Sequence, residues 1–367
     1  MWWMKARRIR ELKQEFPSDV FVCRYEELVT DPEAMARSLC TFLGLEYAPE
    51  MLAKYQTNDA IRHRTDTTHH ETYEAITTSM IAEWKEKLRP EQVEAIEGLL
   101  GSVKPFDARF AALKGHAGHA RTSANVRRCL AGSEVLASHA DCDRVQDPYS
   151  LRCVPQVHGA VRDAVAQAAR VLEIELNAVT DNPLVFPEAV DAPLDRQVIS
   201  AGHFHGMPLA LAMSYVKAAI PVLASISERR LNKLVDPATS DGLPGFLVGN
   251  EDGTESGFMI VQYTAAAIVN DLASRAMPAT VYSIPTSANA EDHVSMGANE
   301  ARHVLAMVDD LGKVLALELM TAAQALDLRV RMVEGEAHPG RAVAAAHAAI
   351  RERIAFLDRD RALDGDV

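Results

Sequence analysis

The amino-acid sequence predicts a mainly α-helical protein: a bundle of long helices preceded by a small α/β fragment. Three observations carry this. Residues 155–180, 207–235, 255–277 and 290–328 are long Ala/Leu/Val-rich stretches with apolar residues at helical spacing. Aromatic residues make up only 6% of the chain, which disfavours a sandwich or barrel. Short Gly/Pro/Asn-rich joints at 179–188, 199–208, 241–250 and 282–297 separate the stretches.

In chain order, residues 1–104 form the first segment. Val20 to Tyr25 is a β-rich run. Thr30 with Glu33 reads as a capping box, with Pro32 in the first turn. Ala34, Leu39, Phe42 and Leu43 then make a helical stripe that stops at Gly44. Residues 78–100 add two short helices broken near Pro90. From about residue 105 to 367 the texture is that of the long helices. The stretch 256–277 is apolar nearly all round for its first two thirds, so it is expected to be buried on most sides. Pro221 is expected to kink the helix over 207–235, with Ser225 and Ser227 re-satisfying freed backbone groups. Helices of 30 residues span roughly 45 Å. Several of these imply a bundle and an oligomer that shares it.

The chain has 367 residues, 48% hydrophobic and 24% charged, with a formal net charge of −13. That charge argues against nucleic acid as the main partner, because phosphate binding needs a basic face. A small-molecule substrate fits better. The five cysteines include no CxxC pair, which suits reduced thiols in a cytoplasm. The start, MWWMKARRIR, has no apolar core or cleavage site of a signal peptide. No run approaches ~18 uninterrupted apolar residues, so no membrane span is expected.

Polar chemistry concentrates in the joints. In VQDPYSLRC, Gln146, Tyr149 and Arg152 recur every third residue and share a face if the segment starts a helical turn. Arg152 suits a bidentate carboxylate clamp. Tyr149 suits proton transfer, and Gln146 suits orienting an amine or carboxylate. The same residues equally suit a network that ties two helices together. In SANAEDHVSMG, Asn289 reads as an N-cap with Asp292 at N3, which puts Glu291 at a helix N-terminus. Glu291 there is either a base, an acceptor for a substrate N–H, or a plain capping acid. In HFHG, Phe204 can wall an aromatic substrate. His203 and His205 lack further ligands nearby, so no metal is expected. GxGxxG, GxxxxGK[ST] and GxSxG are all absent.

Seven motifs in order, RVQDPYSLRCVPQVHGA, EIELNAVTDNPLVF, FHGMPLALAM, ISERRLNKLVDP, GLPGFLV, SGFMIVQYTAAAIVND and SIPTSANAEDHVSMG, resemble the histidine ammonia-lyases and related aromatic amino-acid lyases. The resemblance covers about residues 105–367. It implies a long-helix bundle of the ammonia-lyase (fumarase/aspartase-like) type, assembled as a homotetramer with each active site built from several subunits. It implies deamination of L-histidine or a related aromatic amino acid to an α,β-unsaturated acid and ammonia. It gives Arg152 the substrate carboxylate, places Gln146 and Tyr149 beside it, lines the pocket with Phe204, and associates Glu291 with imidazole substrates. Tyr149 and Glu291 are the catalytic candidates; Gln146, Arg152 and Phe204 are the substrate-binding ones.

The family's electrophile, methylidene-imidazolone, forms from an Ala-Ser-Gly triplet. None occurs here: the Ala-Ser pairs at 137, 224 and 273 are followed by His, Ile and Arg. His203 and Ala290 replace the asparagine and glutamine usual at those places. Residues 1–100 resemble instead the C-terminal end of a bacterial sulfotransferase, without its phosphate loop. The expectation is therefore an ammonia-lyase-like chain that carries no electrophile of its own, to which a partner chain would supply the missing half. The alternatives are a catalytically silent helical oligomer and a sulfotransferase-family protein.

Overall fold

The computed structural model describes residues 32–43, 45–48, 96, 98–99, 101–140, 145–186, 193–249, 254–333 and 337–366. The β-rich run at 20–25, the capping Thr30, Gly44, and most of 78–100 lie outside them. The chain divides into two units, Met1–His70 and Glu71–Val367.

In the first unit, α1 (Pro32–Leu43) forms where the stripe predicts it. Arg37 bonds Glu33 one turn back and lies 4.1 Å over the Tyr47 ring. Cys40 is its buried residue, while Leu39 is exposed.

The second unit is a helical bundle. Its elements are α2 (Ala108–Lys114), α3 (Ala117–Leu130), α4 (Glu134–Ala137), α5 (Tyr149–Arg152), α6 (Val154–Leu176), α7 (Leu194–Gln197), α8 (Met207–Val235), α9 (Met259–Arg275), α10 (Gly297–Met332) and α11 (Arg341–Arg351). A two-stranded antiparallel ribbon, β1 (Leu184–Val185) with β2 (Val198–Ile199), pairs Leu184 with Ile199. It lies where the sequence shows only joints. Asn182 helps close it by accepting bonds from the Ser200 hydroxyl (2.8 Å) and the Ala201 N–H (2.9 Å). Ile96, Leu99 and Phe106 pack into this bundle's core.

Central α8 packs chiefly against α10 and α6, and α6 packs against α3. The α3–α6 crossing is close because Gly118 and Gly159 face each other. A Cβ on Gly118 would fall 2.1 Å from the Gly159 carbonyl oxygen. α8 is long and apolar enough to cross a membrane by length and composition, contrary to the expectation that no segment would be. Its buried Lys217, Glu228 and Arg230 identify it instead as the core of the bundle. It runs as one helix through Pro221. Ser227, expected to re-satisfy backbone near that proline, instead donates its hydroxyl to Glu318.

The interior of α10 is polar at intervals, and each polar group holds a different neighbour. Glu318 takes Arg230 of α8 in a bidentate pair (2.5 and 2.9 Å). Glu300 pairs with Lys217 of α8 (3.2 Å). Gln324 bonds the Leu247 and Leu357 carbonyls and accepts from the Leu357 N–H. Arg329 donates to the Gly98, Ser240 and Asp241 carbonyls. Near the end of α10, Asp327 takes His347 and Arg351 of α11.

α9 departs from expectation. Val261, Ala265 and Leu272 are buried, but Ile260 is 55% and Tyr263 61% exposed. α8 likewise leaves Leu211, Tyr215 and Val222 outward. The apolar faces predicted to be covered are covered only in part by this chain.

Two outcomes test this core. Glu318→Ala strands the buried Arg230 charge and should cost about 3–5 kcal/mol in urea unfolding; a cost under about 1 kcal/mol would show that water reaches the site. His158, buried beside Arg230 (3.5 Å), has its pKa pushed well below the ordinary 6.5 by burial and then by the Arg230 charge. The folded chain therefore binds fewer protons than the unfolded one, and stability should fall as pH drops below 6.5. His158→Gln should flatten that fall when unfolding is followed at pH 7.5 and pH 5.5.

Candidate active site

The segment VQDPYSLRC folds as an extended lead into a single helical turn. Pro148 is the N-cap of α5, and Tyr149 begins it. Asp147 is buried and accepts the Ser102 N–H (2.7 Å), fixing the segment against the chain before α2. So part of this polar run is a structural tie, as one of the two readings of its residues held. Asp147 also borders a cavity, together with other residues of the run. Gln146 and Arg152 line this cavity of about 810 Å³, walled by Phe110, Leu130 and Leu136, within the size range of small-molecule sites. Lys104 lines it too and adds a second positive charge. The Arg152 Nε is buried with no bonding partner, and so is the Gln156 Oε1 beside the same cavity.

Tyr149 shares the face with Arg152, as the three-residue spacing predicts, and the guanidinium lies 4.5 Å over its ring. The phenol is 69% exposed. It borders a shallower recess with Pro221, Val222 and Arg229 of α8.

Phe204 and Glu291 belong to a second cluster. Phe204 is half exposed on the loop before α8. The next residue, His205, bonds the His293 carbonyl (2.9 Å), and the two imidazoles stack at 5.9 Å. Phe204 and Glu291 thus flank one junction of two loops, and neither lines the Arg152 cavity.

The expected helix start at Asn289 is not there. Ser287, Ala288 and Asn289 all have positive φ, in a tight turn, and α10 begins only at Gly297. Glu291 instead pairs with Thr286 in an antiparallel bridge, with backbone bonds of 2.9 and 3.3 Å. Its carboxylate accepts the Thr286 hydroxyl (2.5 Å). It does not lie in the first turn of α10. Short polar residues in the left-handed region make a turn as readily as they cap a helix, so the motif alone misleads.

Three residues that the sequence reading passed over stand behind the second cluster: Lys217, Glu300 and His303. The signal for one was visible, since a lysine inside the apolar run of α8 must find a buried partner.

Among the described residues no group of three His, Cys, Asp or Glu side chains could hold a metal ion. The electrophile of the resembling lyases does not fit the residues present. Each Ala-Ser pair is helical or caps a helix, with Ser138 and Ser274 hydroxyls bonded to the Val135 and Asp271 carbonyls, and none precedes a glycine.

Comparison with known proteins agrees with the helical architecture. Residues 92–352 match the family model for aromatic amino acid lyases, and residues 1–49 match that for the sulfotransferase family. Histidine ammonia-lyase from Sorangium cellulosum is 49% identical over 74% of this chain and 52% of its own length. That from Anaeromyxobacter sp. (strain K) is 48% identical, over 74% and 51%. Among solved structures, histidine ammonia-lyase from Trypanosoma cruzi superposes with a TM-score of 0.66 at 33% identity, over 76% of this chain and 49% of that one. Tyrosine aminomutase from Streptomyces globisporus gives 0.67 at 35%, over 76% and 54%. The chain spans about half the length of the curated relatives it matches. With the family match running through the bundle and both site clusters, the chain belongs to the aromatic amino acid lyase family.

Proposed function

We propose that this chain is the substrate-holding half of a histidine ammonia-lyase, acting on L-histidine or a related aromatic amino acid with a partner chain. The observation that carries this reading is Arg152. Its guanidinium borders a cavity of suitable size, carries an unpartnered buried Nε, and is braced over the Tyr149 ring. A planar fork of that kind takes a carboxylate bidentately. Gln146, on the same cavity wall, orients the substrate's polar end. Phe204 walls the substrate ring. Glu291 accepts an imidazole N–H, and Tyr149, with its exposed phenol, gives or takes a proton. A carboxylate at 291, where phenylalanine and tyrosine lyases often carry glutamine, favours histidine.

The two clusters do not meet within the chain's own cavity, which supports an active site completed by other subunits in a family-type tetramer. The uncovered apolar faces of α8 and α9 support the same assembly, since exposed patches of this kind mark protein interfaces. The five cysteines, odd in number and without a CxxC pair, support a reducing cytoplasm.

This chain's residues bind and orient but do not activate. The ammonium is a poor leaving group and the β-proton is barely acidic, so positioning alone does not replace covalent activation. A partner chain would supply the electrophile. The missing triplet equally favours a second reading, a catalytically silent helical oligomer. A sulfotransferase role is weakest, because the sequence carries no phosphate-loop motif.

Purified chain mixed with L-histidine, L-tyrosine or L-phenylalanine should show no family-like growth of unsaturated-acid absorbance. Turnover that Arg152→Ala abolishes would overturn that expectation. By calorimetry the chain should bind L-histidine, and Arg152→Ala should weaken binding by about 1.5–3 kcal/mol, the worth of a charged hydrogen bond. Absence of binding in a well-folded oligomer would establish the silent reading.

A further inference from the structure

We propose that the buried Lys217–Glu300 pair positions the loop between α9 and α10, residues 276–296, and with it Glu291. The importance of Glu291 to the substrate rests on the reading above; the positioning itself does not.

Lys217 lies in the middle of α8 and Glu300 in the first turn of α10, and both are fully buried. Desolvating two charges is costly, and apolar residues of similar size would join the two helices at least as well. The charges do reach something apolar residues could not. The Lys217 ammonium has three protons to donate. It bonds the Met277 carbonyl at 2.7 Å and the His303 Nδ1 at 2.7 Å, and lies 3.2 Å from the Glu300 Oε2. The other Glu300 oxygen accepts the Thr280 N–H at 3.0 Å. The pair therefore holds the outgoing limb of the loop at two backbone points. Burial and the neighbouring Lys217 charge both lower the His303 pKa, which keeps the ring neutral and its Nδ1 free to accept.

From there the bonding continues along the loop. The Thr280 hydroxyl donates to the Ser295 carbonyl (2.7 Å), clamping the outgoing limb to the returning one. The Val294 N–H donates to the Ser283 hydroxyl (2.8 Å) one step further out. Next come the Thr286–Glu291 bridge and the Thr286 hydroxyl on the Glu291 carboxylate. Apolar packing does not do this holding, since Val281, Tyr282 and Ile284 are each about 60% exposed or more. At the tip three consecutive residues take left-handed backbone, a conformation that needs external support. Lys217 and Glu300 are positioning residues: they act on Glu291 through the loop and do not touch the site.

Hydrogen exchange of the full chain without substrate tests this. Lys217→Met and Glu300→Gln should speed exchange at the Thr286, Glu291 and Val294 amides by about tenfold or more, while Leu223 and Val314 in the cores of α8 and α10 stay protected. Thr280→Val, which leaves the ion pair in place, should speed the same loop amides if the charged variants do not fold. Unchanged loop exchange in these variants would overturn the proposal, and so would a rise shared equally by helices and loop, since that is a purely structural role. In a second arm, L-histidine affinity should fall about tenfold in Glu300→Gln with L-phenylalanine affinity unchanged. A fast loop with unaltered histidine affinity would uphold the positioning and overturn the role given to Glu291.

Discussion

A buried charge must be matched, and in this protein that requirement sets how α8 meets α10. Lys217 pairs with Glu300 and Arg230 with Glu318, all four side chains nearly inaccessible to water. The partners advance in the same direction along both helices, so the helices run parallel, linked through α9. Sliding one helix past the other would strand up to four charges at once, whereas a seam of leucines would tolerate several registers. The packing of α6 on α8 inherits that register, because Arg230 also reaches His158 and the Ser150 carbonyl. The turn carrying Tyr149 and Arg152 is thereby tied to the same spine.

The two site clusters hang from opposite parts of this spine. One is set by Asp147 and the Arg230 contact to Ser150, the other by the polar network around Lys217. Neither depends on local helix propensity; Arg230 and Lys217 lie buried away from the cavity, while Asp147 both ties its segment and lines the cavity. This explains how single turns and irregular loops can carry recognition groups at defined places. The contacts that support both clusters are internal to the bundle. The uncovered faces of α8 and α9 show where that self-sufficiency stops.

Much of the fold was legible. Apolar periodicity over 155–180, 207–235, 255–277 and 290–328 anticipates α6, α8, α9 and α10, because each helix buries a stripe wide enough to write itself into the sequence. The ribbon at 184–199 was not legible, since two-residue strands leave no period to count. The start of α10 was misplaced because Asn289 and Asp292 have the composition of a cap while the backbone takes Ser287, Ala288 and Asn289 through a left-handed turn. Of the candidate site residues, Gln146 and Arg152 were found together on one cavity, and Tyr149, in contact with the Arg152 guanidinium, borders a separate recess. Phe204 and Glu291 flank the His205–His293 junction of two loops, which no spacing in the chain could show.

By itself the sequence determined the helical class, the long stretches, the ordered lyase motifs and the absence of an Ala-Ser-Gly triplet. These are properties of local periodicity and residue identity, readable without knowing what touches what. Only the tertiary structure decided that Asp147 is a tie and Arg152 a cavity wall, that Glu291 sits in a bridge rather than on a helix, and that a lysine inside an apolar helix anchors a loop sixty residues away. The physical reason is the same in each case. The cost and use of a polar side chain depend on its partner, and the partners here come from distant parts of the chain.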